Sequence, residues 1–546
     1  MKEKVQVPID EEFDVIVIGA GFSGLYILKR LRDIGLSVKL YEAGDDVGGT
    51  WYWNRYPGAR TDSDSMVYCF SDWFDKDIAH EWTWPERYST QSDLLRYFRW
   101  VVDRLDLRSD IQFNTRVSSA VYDEQSTRWL ITTTSGRKVA ARYFVPAVGA
   151  LSHPKIPDLK GLDRFQGDWY HSSRFPAEGV DFDGKRVAVI GSGATGTQIV
   201  PEVAKVADQV FHFIRDPYHL VPGRNHTLNN EDTEAVQRNI QEIWEYSRNT
   251  FGGFPYDFVG NALDFSPEER RRIYEKNWKQ GGFPFLYLFG DVLADKEANE
   301  TTQEFFREKI RQLVRDEQTA DIITPKTPWL TKRPVLDHGY YAACNRDNVS
   351  LIDMKSTPIE QITEQGIRTK EGTEYDIDVI VMATGFESYT GSMLSMDIRG
   401  RNHIRLKERW ADRPHDYLGI TVNSFPNMFM LYCGPYNPAP FTNAPTLIEQ
   451  QGEWIVDWIK FMRKNGYASL EPRQESEEEF FEQHMQIAEG TLIPQTSSWW
   501  TKQTKDPNRK GLLLMSWAGG FPAYRQLCDE GNAGNVNKFI LTSTTE

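Results

Sequence analysis

Cysteine is scarce in this chain. Cys69, Cys344, Cys433 and Cys528 are far apart in 546 residues, and none belongs to a CxxC pair. That spacing argues against a disulfide framework, a zinc ribbon and a dithiol redox centre, so the four read as buried free thiols and no metal site is expected. Long apolar runs are missing too: no stretch approaches the roughly 18 residues that span a bilayer. The leading MKEKVQVPIDEEF is polar and acidic and has no signal-peptide core, so a cytoplasmic location and no membrane partner are expected. Positive charge is in deficit, 63 Lys and Arg against 78 Asp and Glu, for a net charge of −15. Nucleic acid is thereby disfavoured as a partner, because phosphate binding wants a basic footprint. There is no low-complexity linker. At 40% hydrophobic and 26% charged residues, the composition is that of a soluble globular protein with enough chain for about three or four domains.

Against these absences one segment is rich in information. Phe13 to Ile18 is a β-branched run that reads as a buried parallel strand. Gly19-x-Gly21-x-x-Gly24 follows at once, then a helix-period stretch from Ser23 to Asp33 ended by Gly35, then a second strand from Ser37 to Tyr41. This is the strand–loop–helix–strand setting of a dinucleotide site. Gly19 permits the tight turn, Gly21 lets backbone approach a pyrophosphate, and Gly24 lets the helix pack on the strand. The phosphate charge would meet the helix N-terminus. Glu42, at the tip of the second strand, is placed to accept from ribose hydroxyls.

The pattern recurs. Strand Arg186 to Ile190, Gly191-x-Gly193-x-x-Gly196, a helix through Ala204 and strand Gln209 to Ile214 form a second unit. Its strand tip carries Arg215, which suits a 2′-phosphate and predicts NADP. Asp216 competes for that arginine and leaves room for NADH, while Lys332 adds a second positive charge. Two nucleotide sites of opposite character predict FAD first and NADPH second, with hydride passing from nicotinamide to flavin. The apolar run from Asp378 to Gly385, ending in Ala-Thr-Gly, marks the return of the chain to the first unit. The expected fold is α/β, with two Rossmann-like domains and a helical insertion.

Two further stretches carry a resemblance. Gly48 to Asp62, GGTWYWNRYPGARTD, fits the pattern [AG]GxWxxxx[FY]P[GM]xxxD at every fixed position. Phe165 to Pro176, FQGDWYHSSRFP, matches FxGxxxHxxxW[PD] except at Phe175, where Trp is usual. With the blocks SRNTFGG, TKRPVLDHGYY, NRDNV and SSWWT, the chain resembles the type I Baeyer–Villiger monooxygenases from about Phe13 to Leu541, nearest the phenylacetone, steroid and cyclohexanone branch. It departs from them at Ile214-Arg215-Asp216, where relatives carry Gln-Arg-Thr or Gln-Arg-Ser. The resemblance implies FAD, NADPH and O2, and a small apolar ketone turned into an ester or lactone through a C4a-peroxyflavin and a Criegee adduct, with no required protein partner. It makes Arg333 the catalytic arginine and Asp62 the acid that orients it. It adds Thr50 and Trp51 to the cofactor contacts and sets Trp499 against the nicotinamide-side ribose. It assigns His171 a structural or gating role in the interdomain linker. Within the loop GPYNPAPFTN, Phe441 is expected to wall the substrate pocket, with Leu151 and Ser63 as further lining.

The expected organisation is residues 1–151 for FAD, 152–218 for NADP, 219–335 as insertion, 336–386 returning to NADP and 387–546 to FAD. Within the insertion, Ser266-Pro267-Glu268-Glu269 is a capping box that opens a helix through Lys279, and a second helix is expected from Thr302 to Arg315. Its high charge suggests a largely solvated outer face. A helix from Pro445 to Lys464, closed by Asn465-Gly466, should follow the substrate loop. Two alternatives stay open: a sibling flavin monooxygenase acting on amines or sulfides, and a catalytically silent flavin-binding redox sensor.

Overall fold

The computed structural model describes residues 9–505 and 511–543. The first eight residues and the last three, at the outer limits of the FAD-domain assignment, lie outside the described part.

The first glycine motif opens a mixed sheet. Strand β1 (Glu11–Ile18) pairs in parallel with β2 (Val38–Tyr41), and β2 with β3 (Ile111–Gln112). On its other side β1 pairs in parallel with β6 (Lys138–Pro146), which continues antiparallel through β5 (Arg128–Thr133) to β4 (Val117–Asp123). Val15, Val17 and Ile18 are buried because both faces of β1 are covered, the condition that favours an unbroken apolar strand. Helix Phe22–Asp33 covers one face, with Leu25, Tyr26, Leu28 and Leu31 turned inward.

The second motif builds an all-parallel sheet. Its order is β12 (Val349–Asp353), β9 (Gln209–Ile214), β8 (Arg186–Ile190), β16 (Val379–Met382) and β7 (Asp168–His171). The run ending in Ala-Thr-Gly is thus a central strand of this sheet, and the fingerprint histidine ends its edge strand. A small antiparallel sheet, β13 (Ile359–Ile362), β14 (Gly366–Thr369) and β15 (Glu374–Asp376), lies between β12 and β16 in sequence.

After β16 the chain rejoins the first unit. Strand β17 (Asp397–Arg399) pairs with β4, and helix Ala444–Asn465 packs on helix Phe22–Asp33. That helix ends where expected, with Gly466 in the left-handed region at φ 69°. At the helix–helix contact, Gly452 lies against Tyr26, whose ring would stand 2.4 Å from any added Cβ. Beside it Glu453 accepts from Tyr26 Oη at 2.8 Å and from Arg30 Nε at 2.6 Å. One hydrophobic core consequently holds Val15 and Leu25 together with Leu447, Trp458 and Phe539.

The insertion begins and ends on a clasp: β10 (Leu220–Pro222) pairs in parallel with β11 (Val335–Asp337). Between them lie helices Asn230–Ser247, Pro267–Gln280, Lys296–Leu313 and Glu317–Ile323. The Ser266–Glu269 capping box is present as expected. The later helix starts six residues before the expected Thr302, because the Asp295 side chain accepts from Glu297 N and Ala298 N. A solvated face exists, yet the insertion also has a core of its own. Phe254, Tyr274, Trp278, Phe285, Phe305, Phe306 and Trp329 are buried together. High charge hid this, since the apolar content is concentrated in aromatics spread over separate short segments. All four cysteines are buried and free. No helix among the described residues is long and apolar enough to cross a membrane.

Candidate active site

The two glycine loops meet the geometric demand placed on them. Gly19 has φ 102°, and a Cβ on Gly24 would stand 1.7 Å from the Gly19 carbonyl oxygen. Gly21 faces Gly49 of the GGTW stretch: a Cβ on Gly49 would lie 2.8 Å from Gly21 Cα. A dinucleotide loop and the first fingerprint therefore face each other backbone to backbone, with no side chain between them. Helix Phe22–Asp33 has no side-chain cap, so its first-turn amides have no competitor for an anion. Thr50 and Trp51 open the short helix Thr50–Trp53 beside this groove, with Thr50 exposed and Trp51 buried. These residues fit an FAD pyrophosphate.

Glu42 differs from the expectation in its immediate partners. Its two carboxylate oxygens accept from Ala20 N and Gly44 N, both at 2.7 Å. It is 4% exposed, and burial raises its pKa against the pull of those amides. It braces the glycine loop from below, and the second lone pairs of its oxygens are what remains for a ribose.

The second loop repeats the geometry. Gly191 has φ 115°, and a Cβ on Gly196 would lie 1.9 Å from the Gly191 carbonyl oxygen. At Gly193 the nearest atom to an added Cβ is Tyr218 Cζ at 4.0 Å, so the approach to the helix N-terminus is open. Arg215 is exposed and pairs with Asp216 at 3.2 Å. Lys332 is buried, with its ammonium 5.1 Å from the Tyr218 ring centre. Burial lowers the Lys332 pKa, with the Asp216 carboxylate opposing.

Arg333 and Asp62, 271 residues apart in sequence, form a two-point ion pair. Nε donates to Asp62 Oδ2 at 2.8 Å and Nη2 to Oδ1 at 3.0 Å. Nη1 donates to the Pro440 carbonyl at 2.7 Å, tying the pair to the GPYNPAPFTN loop. The guanidinium also lies 4.7 Å from the Phe283 ring centre. Burial works against its charge, but Asp62 outweighs that and holds the Arg333 pKa above its ordinary value. Of five guanidinium N–H groups, three are engaged and two have no partner among the described residues.

The remaining candidates divide. Trp499 is half-buried; it stacks on Tyr389, with ring centres 6.3 Å apart, and meets Trp500 edge-on at 5.9 Å. Phe441 is 7% exposed and packs on Trp500 at 4.7 Å, while its carbonyl accepts from Tyr287 Oη at 2.8 Å. It is a fixed wall with little freedom. Ser63 is buried, and its amide donates to Thr61 Oγ1. Leu151 is half-buried and joins none of the hydrophobic clusters among the described residues. His171 is 1% exposed; Nε2 lies 3.1 Å from the Gly385 carbonyl and Nδ1 lies 2.9 Å from Ser173 Oγ. The carbonyl can only accept, so Nε2 carries the proton and Nδ1 accepts from Ser173. That fastens the linker to the Ala-Thr-Gly turn and leaves no nitrogen for proton transfer. Phe175, at the usual Trp position, is buried against Tyr170. Phe283, Pro440 and Tyr287 escaped the sequence reading: two act through an aromatic ring or hydroxyl in the insertion, one through a backbone oxygen, and none has a motif.

Two dinucleotide units joined through a half-buried arginine–carboxylate pair define a flavin- and nicotinamide-dependent oxidoreductase. Residues 13–221 match the family model for flavin-binding monooxygenase-like proteins. A cyclohexanone 1,2-monooxygenase of Acinetobacter sp is 40% identical over 518 residues, covering 94% of each chain. A phenazine N-monooxygenase of Lysobacter antibioticus is 40% identical over 535 residues, covering 97% of each. Among solved structures, an oxidized steroid monooxygenase bound to NADP superposes with TM-score 0.92 at 42% identity, covering 98% of this chain and 100% of that one. The chain belongs to the type I Baeyer–Villiger monooxygenase family of NADPH-dependent flavoproteins.

Proposed function

We propose that this enzyme uses NADPH and O2 on bound FAD to insert one oxygen atom beside the carbonyl of a small apolar ketone, giving an ester or lactone. The observation that carries this reading is the two-point Arg333–Asp62 pair anchored on the Pro440 carbonyl. When bound, the flavin supplies the activated oxygen, as an anion. The chain must then hold a fixed positive charge that does not give up a proton. Arginine meets both needs, because its guanidinium stays charged at working pH. Asp62 fixes the plane of that guanidinium, and the two unengaged N–H groups of Arg333 stabilise negative charge growing on the carbonyl oxygen. Phe283 packs against the guanidinium, and the Phe441–Trp500 contact steadies the loop that carries Pro440. Gly19, Gly21, Gly24, Gly49, Thr50, Trp51 and Glu42 hold the flavin nucleotide. Gly191, Gly193, Gly196, Arg215, Lys332 and Trp499 hold NADP(H).

The test is product mass after supplying NADPH, heavy-isotope oxygen gas and a panel of cyclic and aryl ketones. Ester or lactone carrying one heavy oxygen is expected; NADPH use that yields only hydrogen peroxide with every ketone would overturn the substrate assignment. A second reading, N-oxidation of an aza-aromatic, is favoured by the phenazine N-monooxygenase relative. The same assay with phenazines, giving N-oxide and no ester, would establish it.

A further inference from the structure

The tip of β9 is more positive than Arg215-Asp216 reads in sequence. Asp216 is fastened on three sides. Its Oδ2 accepts from Arg215 Nε at 3.2 Å, its Oδ1 from Lys355 Nζ at 2.6 Å, and its carbonyl from Ser192 Oγ at 2.8 Å. Ser192 lies between Gly191 and Gly193, so Asp216 is tied to the dinucleotide loop itself. Lys355 arrives by sheet register. Asp353 at the end of β12 pairs with Ile214 at the end of β9, and Met354 N donates to the Ile214 carbonyl at 2.7 Å. The next residue is Lys355, which therefore stands beside Asp216. With Lys332 over Tyr218, three cations surround one carboxylate. The Asp216 pKa falls below its ordinary value: burial pushes it up, but Lys355, Lys332 and Arg215 together prevail.

We propose that Lys355 is a selectivity residue of the NADP site, occupying the Asp216 carboxylate so that a 2′-phosphate is accepted there despite it. This rests on the assignment of the second glycine loop to NADP. An unpartnered carboxylate at this strand tip takes a ribose 2′-hydroxyl and repels a 2′-phosphate. With Lys355 in place, the local balance is three positive charges to one negative, and Arg215 is free to swing toward the phosphate. Remove Lys355 and Arg215 is left as the nearest partner of Asp216, while the carboxylate gains a free oxygen for a hydroxyl. Lys355 is a positioning residue: it acts on the cofactor through Asp216.

The experiment is calorimetric binding of 2′,5′-ADP and of 5′-AMP to the FAD-loaded enzyme. These ligands differ only in the 2′-phosphate. Lys355→Met should weaken 2′,5′-ADP about tenfold, the order expected when the Asp216 carboxylate charge is left uncompensated a few ångströms from a dianion at a protein surface. Binding of 5′-AMP should stay within about twofold of the parent. The NADPH-to-NADH ratio of kcat/KM should fall in step. Adding Asp216→Thr to Lys355→Met should restore 2′,5′-ADP affinity, because nothing is then left to neutralise. If the double variant shows the same loss as Lys355→Met, Lys355 acts by charge alone and the proposal fails. It fails too if both ligands weaken equally. A parent enzyme that does not discriminate the two ligands would refute the NADP assignment, and the proposal with it.

Discussion

Replacing Arg333 by Lys keeps the charge and removes the geometry. The arginine presents two parallel N–H groups to Asp62, at 2.8 and 3.0 Å, and a third to the Pro440 carbonyl at 2.7 Å. A lysine ammonium offers a single nitrogen and cannot meet a carboxylate edge-on at two points. Each charge-assisted bond is worth about 1.5–3 kcal/mol when well shielded. The two side chains retain 22% and 33% of their exposure, so solvent screening reduces the loss. A net cost of roughly 1–2 kcal/mol is expected, seen as a fall of a few degrees in Tm. The catalytic cost should be larger. Losing one preorganised donor from a developing oxyanion costs about 10²–10³ in rate. Arg333→Lys should therefore bind FAD fully and oxidise NADPH, while ester output falls about 10²–10³-fold and hydrogen peroxide takes its place. The assay is a three-way balance of NADPH consumed, ester formed and peroxide released on flavin-saturated protein. Ester within about threefold of the parent rate would refute the claim that guanidinium geometry, and not charge alone, drives the reaction.

Gly24→Ala should abolish flavin-loaded soluble protein, since its Cβ would sit 1.7 Å from a backbone oxygen that has no freedom to move; recovery of yellow holoenzyme at parental yield would contradict this. Glu42→Gln leaves one acceptor oxygen for two buried amides, and an unsatisfied amide costs about 1–3 kcal/mol, so both Tm and FAD retention should drop. Glu449 is 2% exposed, and burial pushes its pKa from 4.5 to about 7 against the hydrogen bonds from Ser71. A raised carboxyl pKa means the folded state binds the proton more tightly, so its contribution is present below about 4.5 and is lost as pH rises toward about 7. Glu449→Gln should flatten that part of the stability–pH curve in urea melts, and an unchanged slope would refute the assignment. Phe441→Ala opens a cavity beside Trp500, with an expected cost of about 3–5 kcal/mol and a shift toward bulkier ketones in a substrate panel.

Local chemistry explains what could be read from the chain. Gly24 and Gly196 announce themselves because one steric fact, a helix resting on the carbonyl of the first glycine, admits no other residue. Helix Pro267–Gln280 was legible for a similar reason: its cap, proline and N3 glutamate are contiguous. Arg333 and Asp62 were legible only through the family pattern, because nothing in their neighbours along the chain tells of a partner 271 residues away. The insertion core was hidden, since Phe254, Trp278, Phe305 and Trp329 come from four segments and share no period. Lys355 had no signature either. It reaches Asp216 through the pairing of β12 with β9, and strand order is a property of the whole sheet.

The clasp of β10 with β11 bears on engineering. Leu220 pairs with Val335, Val221 with Leu336 and Pro222 with Asp337, so the insertion enters and leaves the molecule at neighbouring points. It is topologically a cassette: a substitute from a relative must reproduce three paired positions at its base to be spliced in. Arg333 lies on the cassette side of that seam, whereas Asp62 lies on the host. A graft would carry its own arginine to an acid it did not evolve with, so the register of three residues at the base sets whether a chimera keeps its chemistry.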